Sequence, residues 1–122
     1  MPNEIVAVEG VPAPTGPFSP AIVATGTRVL TISGQVAEGI DGAEEQARQC
    51  LLNIDALLKA AGATRQDVVR VGIFLTDMAD RAAVGRARVE YFGDHRPAAT
   101  LVEVSSLVSP ELKVEIEATA IY

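Results

Sequence analysis

Only two segments of this chain have the periodicity of helices, whereas six have the alternation or apolar density of strands, in the order β-β-β-α-β-α-β-β. From residue 41 to 61 apolar side chains fall at Ala47, Cys50, Leu51, Ile54, Leu57, Leu58 and Ala61, one stripe of a helix. Asp41 reads as its cap, Glu44 and Glu45 suit the positive end of its dipole, and Gly62 is its stop. A second helix is expected from about Asp80, as cap, to Gly93, with Val84, Ala87 and Tyr91 inward. Strands are expected at about Glu4–Val8, Ala21–Ala24, Arg28–Ser33, Asp67–Leu75, Thr100–Val104 and Lys113–Tyr122. Gly26 reads as the tight turn of a hairpin, and the proline-dense stretch from Pro12 to Pro20 as an extended loop. Two helices cover only one face of such a sheet. Yet the third, fourth and last two strands carry apolar residues of both parities, so the other face needs a second cover, and another copy of the chain is the simplest one. The expected fold is therefore α+β: one domain over 1–122, a single mixed sheet of about six strands, two helices on one face, and self-association.

Charge narrows the partners. The chain carries a net −6, and Arg81, Arg86, Arg88 and Arg96 are interleaved with Glu90 and Asp94, which reads as a solvated helix face. Phosphate backbones and anionic membrane surfaces both need clustered cations, so neither nucleic acid nor membrane is an expected partner. No apolar run approaches the roughly 20 residues that span a bilayer. The start, Met1-Pro2-Asn3-Glu4, lacks a secretory pattern, and a cytoplasmic setting is expected. Cys50, the only cysteine, lies in the helical stripe and reads as a buried small hydrophobe. With His95 the only histidine, no metal site is expected.

The last two strands hold the residues with chemistry. Period two puts Ala99, Leu101 and Glu103 on one face of the first. In the second, Val114, Ile116, Ala118 and Ala120 share an apolar face opposite Lys113, Glu115, Glu117 and Thr119. An acid on so apolar a strand is solvated at an edge, salt-bridged, or poised in a cleft.

Several short pieces, in order, resemble the RidA/YjgF family of enamine/imine deaminases over essentially the whole chain. They are Gly16-Pro17-Phe18-Ser19-Pro20-Ala21, Ser33-Gly34-Gln35, Ala60-Ala61-Gly62 followed by Asp67-Val68-Val69, Phe74-Leu75-Thr76-Asp77, Arg96 to Val104, and Val114-Glu115-Ile116-Glu117-Ala118. The resemblance implies a homotrimer with a small-molecule cleft between subunits and no metal or organic cofactor. It implies short 2-imino or 2-amino-enoic acids as substrates, hydrolysed to a 2-keto acid and ammonia. Carried over by residue, Glu115 is the family's water-positioning carboxylate, and Gly34 keeps a main-chain position open. Phe18 replaces a tyrosine, Gly85 stands where many members carry an asparagine, and Leu101 where many carry a cysteine. Ala99 replaces the arginine that grips the substrate carboxylate. Losing such a bidentate pair costs on the order of 2–5 kcal/mol. Catalysis is thus assigned to Glu115, and ligand contact to Phe18, Gly34, Ala99 and Leu101; Arg96 reads as a solvated loop arginine, with a substitute cation at the cleft mouth as the lesser alternative.

Two functional readings follow. One is a RidA-like hydrolase of a reactive imine, enamine or related metabolite, altered in specificity by Ala99. The alternative is a non-catalytic trimer that binds a small molecule or a protein. A third, the ribonuclease label attached to some relatives, is disfavoured by the net −6 and the lone histidine.

Overall fold

The computed structural model describes residues 3–122; Met1 and Pro2, where the N-terminal segment read above begins, lie outside the described residues. The elements are β1 (Glu4–Val6), β2 (Ala21–Val23), β3 (Val29–Gln35), α1 (Ala43–Ala60), β4 (Val68–Leu75), α2 (Arg81–Phe92), β5 (Ala98–Glu103) and β6 (Val114–Ile121). Their order is the one the periodicity predicts.

The α1 stripe buries Ala43, Ala47, Cys50, Leu51, Ile54 and Leu58, while Leu57 stays exposed. Asp41 does not cap it. Gly42 occupies the cap position with φ of +87°, a conformation that favours glycine, and no side chain caps the helix. Gln46 is buried in the same stripe because it is fully used: its amide donates to the Ile40 and Glu111 carbonyls at 2.8 and 3.1 Å and accepts from the Lys113 N–H at 2.8 Å. It ties the start of α1 to the approach to β6. In α2 the buried set is Val84, Ala87, Arg88 and Phe92, with Tyr91 half-buried and its hydroxyl on Asp55 at 2.6 Å. Asp80 makes no cap bond; the cap in this region is Asp77, whose carboxylate accepts from the Ala79 N–H at 2.9 Å one turn earlier.

The sheet order is β3-β6-β4-β5, with β4 and β5 parallel and the other pairs antiparallel. β1 and β2 form a separate antiparallel ribbon, joined to edge strand β5 through a single parallel bridge between Ser19 and Ala98. The four-stranded sheet and the two-stranded ribbon thus meet through that bridge, made by a residue just before β2. The expected β2–β3 hairpin does not form. Gly26 is a close-approach site instead: a Cβ there would lie 2.8 Å from the Tyr122 main chain. Thr27 and Arg28 donate to the Tyr122 carbonyl at 3.0 and 2.8 Å, which turns β3 onto β6.

Register separates the two faces. Leu30, Ile32, Val71, Ile73, Leu75, Ile116, Ala118 and Ala120 lie under the helices and form the core. The opposite face carries Thr31, Arg70, Gly72, Phe74, Thr100, Val102, Glu115, Glu117 and Thr119, and no helix among the described residues covers it. Among the described residues, no helix is long and apolar enough to cross a membrane.

Candidate functional site

Glu115 sits on the uncovered face, paired across the ladder with Phe74. A bulge in β3 prepares its seat. Ile32 pairs with Ala118 and Gln35 with Ile116, so Ser33 and Gly34 together oppose Glu117. Gly34 is thereby brought under Glu115. A Cβ at Gly34 would fall 1.8 Å from Glu115 Oε2 and 2.7 Å from its Cδ. Only a glycine leaves the carboxylate room to lie there. Among the described residues Glu115 makes neither an ion pair nor a side-chain hydrogen bond, although it is only half exposed. Two positions on, Glu117 lies over Gly72 and pairs with Arg70 at 3.2 Å.

The other candidate residues gather on the opposite side of the sheet. Ala99 and Leu101 face the helices because they pair with Val71 and Ile73. With Phe18 and the Gly16-Pro17 loop they line a cavity of about 300 Å³ whose far wall is Arg81, Gly85 and Arg88 of α2. A Cβ on Gly85 would meet nothing within 4 Å, so the absent side chain there is open space. The lining includes no acidic residue.

The structure thus brings Phe18, Ala99 and Leu101 together, and separately brings Gly34 and Glu115 together. It does not place the two groups side by side within one chain, since the sheet lies between them.

Arg88 is the residue that sequence reasoning placed wrongly. It was expected on a solvated face, yet it is only 5% exposed. Its Nε has no hydrogen-bond partner among the described residues, and its Nη2 makes only a long bond to the Pro17 carbonyl at 3.5 Å. Burial, with repulsion from Arg96 and Arg81, pulls its pKa down to about 10, and it stays charged at neutral pH. The signal was in the spacing: Val84, Ala87, Arg88 and Tyr91 form one i, i+3, i+4, i+7 stripe. Arg86, off that stripe, is indeed solvated and pairs with Glu44 at 2.8 Å. Arg96 does not line the cavity; its guanidinium donates to the Gly93 and His95 carbonyls.

Cys50 donates to the Gln35 carbonyl at 3.1 Å, and burial, with a smaller push from the Glu115 charge, raises its thiol to about 12. A thiol so raised is inert at neutral pH. The His95 ring meets the Val68 carbonyl at 2.7 Å. Among the described residues no three His, Cys, Asp or Glu side chains converge to hold a metal.

Residues 9–122 match the endoribonuclease L-PSP family. The chain is 42% identical to a RutC family protein of Pyrococcus horikoshii, with 97% of each chain covered. It is 35% identical to the 2-iminobutanoate/2-iminopropanoate deaminase of Salmonella typhimurium, over 98% of each. Among solved structures, the Rid family protein YyfB of Yersinia pestis superposes with a TM-score of 0.86 at 33% identity, covering all of both chains.

Proposed function

Because the chain belongs to the endoribonuclease L-PSP family, which includes the Rid/YjgF proteins and their deaminases, we propose that it is a RidA-like hydrolase of a small reactive imine or enamine. The observation that carries this reading is the Glu115 carboxylate, unpaired and seated on a glycine built to receive it. Its neighbour Glu117 shows what a structural acid on this face looks like, because that one has its arginine.

The chemistry needs no more than these groups. Water attacks the carbon of the protonated imine while Glu115 takes its proton, giving a neutral carbinolamine. Glu115 then passes that proton to the nitrogen and takes the hydroxyl proton as the carbonyl forms and the C–N bond breaks, and ammonia and a 2-oxo acid leave. A positioned carboxylate contributes typically 10²- to 10⁴-fold to such a step, and fixing the water adds to that.

The separation of the two residue groups supports an assembled site. The uncovered face of one copy carries Glu115 and Gly34, and the edge cavity of another carries Phe18, Ala99 and Leu101. A closed ring of three, working in the cytoplasm, brings each acid to a neighbour's cavity and covers the bare face. Ala99 supports a changed ligand, since the cavity gains room where the deaminases carry a guanidinium. The net −6 keeps RNA unfavoured as substrate.

The test is turnover of 2-iminobutanoate or 2-iminopropanoate generated in situ. We expect release of 2-oxo acid above the spontaneous rate. The spontaneous rate alone at high protein concentration, for these and for larger imino acids, favours the non-catalytic binder.

A further inference from the structure

A buried guanidinium without a carboxylate beside it is unusual, because desolvating a charge costs several kcal/mol unless a partner offsets it. Arg88 is in this position: 5% exposed, Nε unpartnered, aimed into an acid-free cavity whose exposed end holds a second arginine, Arg81. Among the described residues neither arginine forms an ion pair, whereas Arg86 on the same helix does. In a chain of net −6, two guanidinium groups around one cavity, with no acid from their own chain beside them, mark a place prepared for an anion.

We propose that Arg88 is the anion anchor of this cavity, gripping a ligand carboxylate from α2 instead of from β5. Arg81 holds a second anionic group at the mouth, so the site takes small dicarboxylates in preference to monocarboxylates. Moving the guanidinium from the strand to the facing helix turns the ligand around. The carboxylate lies against α2, and the remainder extends along Ala99 and Leu101, where the small Ala99 side chain leaves room. The ligand class so defined is an amino-acid-derived imine or enamine carrying a second acid. This rests on reading the cavity as the ligand half of the proposed site, but the anchor itself is testable without turnover.

The experiment is calorimetric titration of the intact protein with succinate and with propionate. Succinate should bind several-fold more tightly than propionate. R81Q should erase that preference. R88Q should weaken both acids by roughly 30-fold or more, R88K by less, and R86Q not at all. Joining R88Q to A99R should restore carboxylate binding from the strand side. Because its own chain gives the buried Arg88 no carboxylate partner, R88Q should melt no lower than the parent when no acid is present. Equal affinity for the two acids overturns the role of Arg81. Unchanged binding in both R88Q and R88K overturns the anchor, as does an oligomer that falls apart in R88Q and binds acids as before. If acids bind through Arg88 but no imine is hydrolysed, the hydrolase reading fails and the anchor stands. If imines are hydrolysed by R88Q with an unchanged KM, the reverse holds.

Discussion

Two glutamates on β6 point the same way and lie over glycines of neighbouring strands, yet their surroundings differ. Glu117 rests on Gly72 in a regular stretch of the β4–β6 ladder and is neutralised by Arg70 at 3.2 Å. Glu115 rests on Gly34 at a bulge and has no side-chain partner among the described residues. One is a surface ion pair, which contributes about 0–1 kcal/mol. The other is a carboxylate left available by a local break in the sheet. An acid on a strand is read by what satisfies it, and the contrast between these two seats can be broken in three ways.

The largest effect is on catalysis. E115Q should lower turnover on the order of 10²- to 10⁴-fold, the worth of a positioned acid–base group. E117Q should change it little, and comparable losses in the two would erase the distinction. The glycines come next. In G34A the new Cβ would fall 1.8 Å from the flexible end of Glu115. The carboxylate swings away, so activity should drop sharply while the melting temperature holds. In G72A the Cβ would press on Glu117 Cγ at 2.9 Å and disturb the Arg70 pair. That should cost about 0–1 kcal/mol of stability, the worth of the surface pair, with activity retained. Thermal melts and rates on both proteins decide it.

The smallest effect is electrostatic. Cys50 is raised to about 12 from an ordinary 9.0, chiefly by burial and in part by the Glu115 charge. The folded state therefore keeps its thiol proton while the unfolded state loses it. Stability from this group is complete below about 9 and is lost as pH rises through about 12. Alkylation of the folded protein at pH 8 should be negligible. E115Q should shift the alkylation profile to lower pH and E117Q should not; identical profiles would remove Glu115 from the neighbourhood of the thiol.

Much of this molecule was legible from spacing. The α1 stripe, the alternation of β6 and the order of all eight elements follow from periodicities of 3.6 and 2. Ser33-Gly34-Gln35 and the role of Glu115 come from the family resemblance and not from spacing. What spacing does not carry is pairing. Gly26 looked like a turn because glycine serves both turns and close approaches, and only the Tyr122 main chain tells which. Alternation put Ala99 and Glu115 each on some face of its own strand. Which faces coincide depends on register against β4, and register separated them. Arg88 lay in an apolar stripe but was read by its charge. Asp41 was read as a cap by its chemistry, but the cap position fell one residue later, on Gly42.

The proposed site is one that no single copy holds, with the acid on one sheet face and the cavity behind the other. Co-expressing two variants tests this directly: E115Q, which lacks the acid, and G85L, which fills the cavity where a Cβ meets open space. Each alone should be inactive. Randomly mixed rings should recover about one quarter of parental turnover, because that fraction of contacts joins an intact acid to an intact cavity. Mixed oligomers that stay inactive at every ratio would contradict the two-copy site.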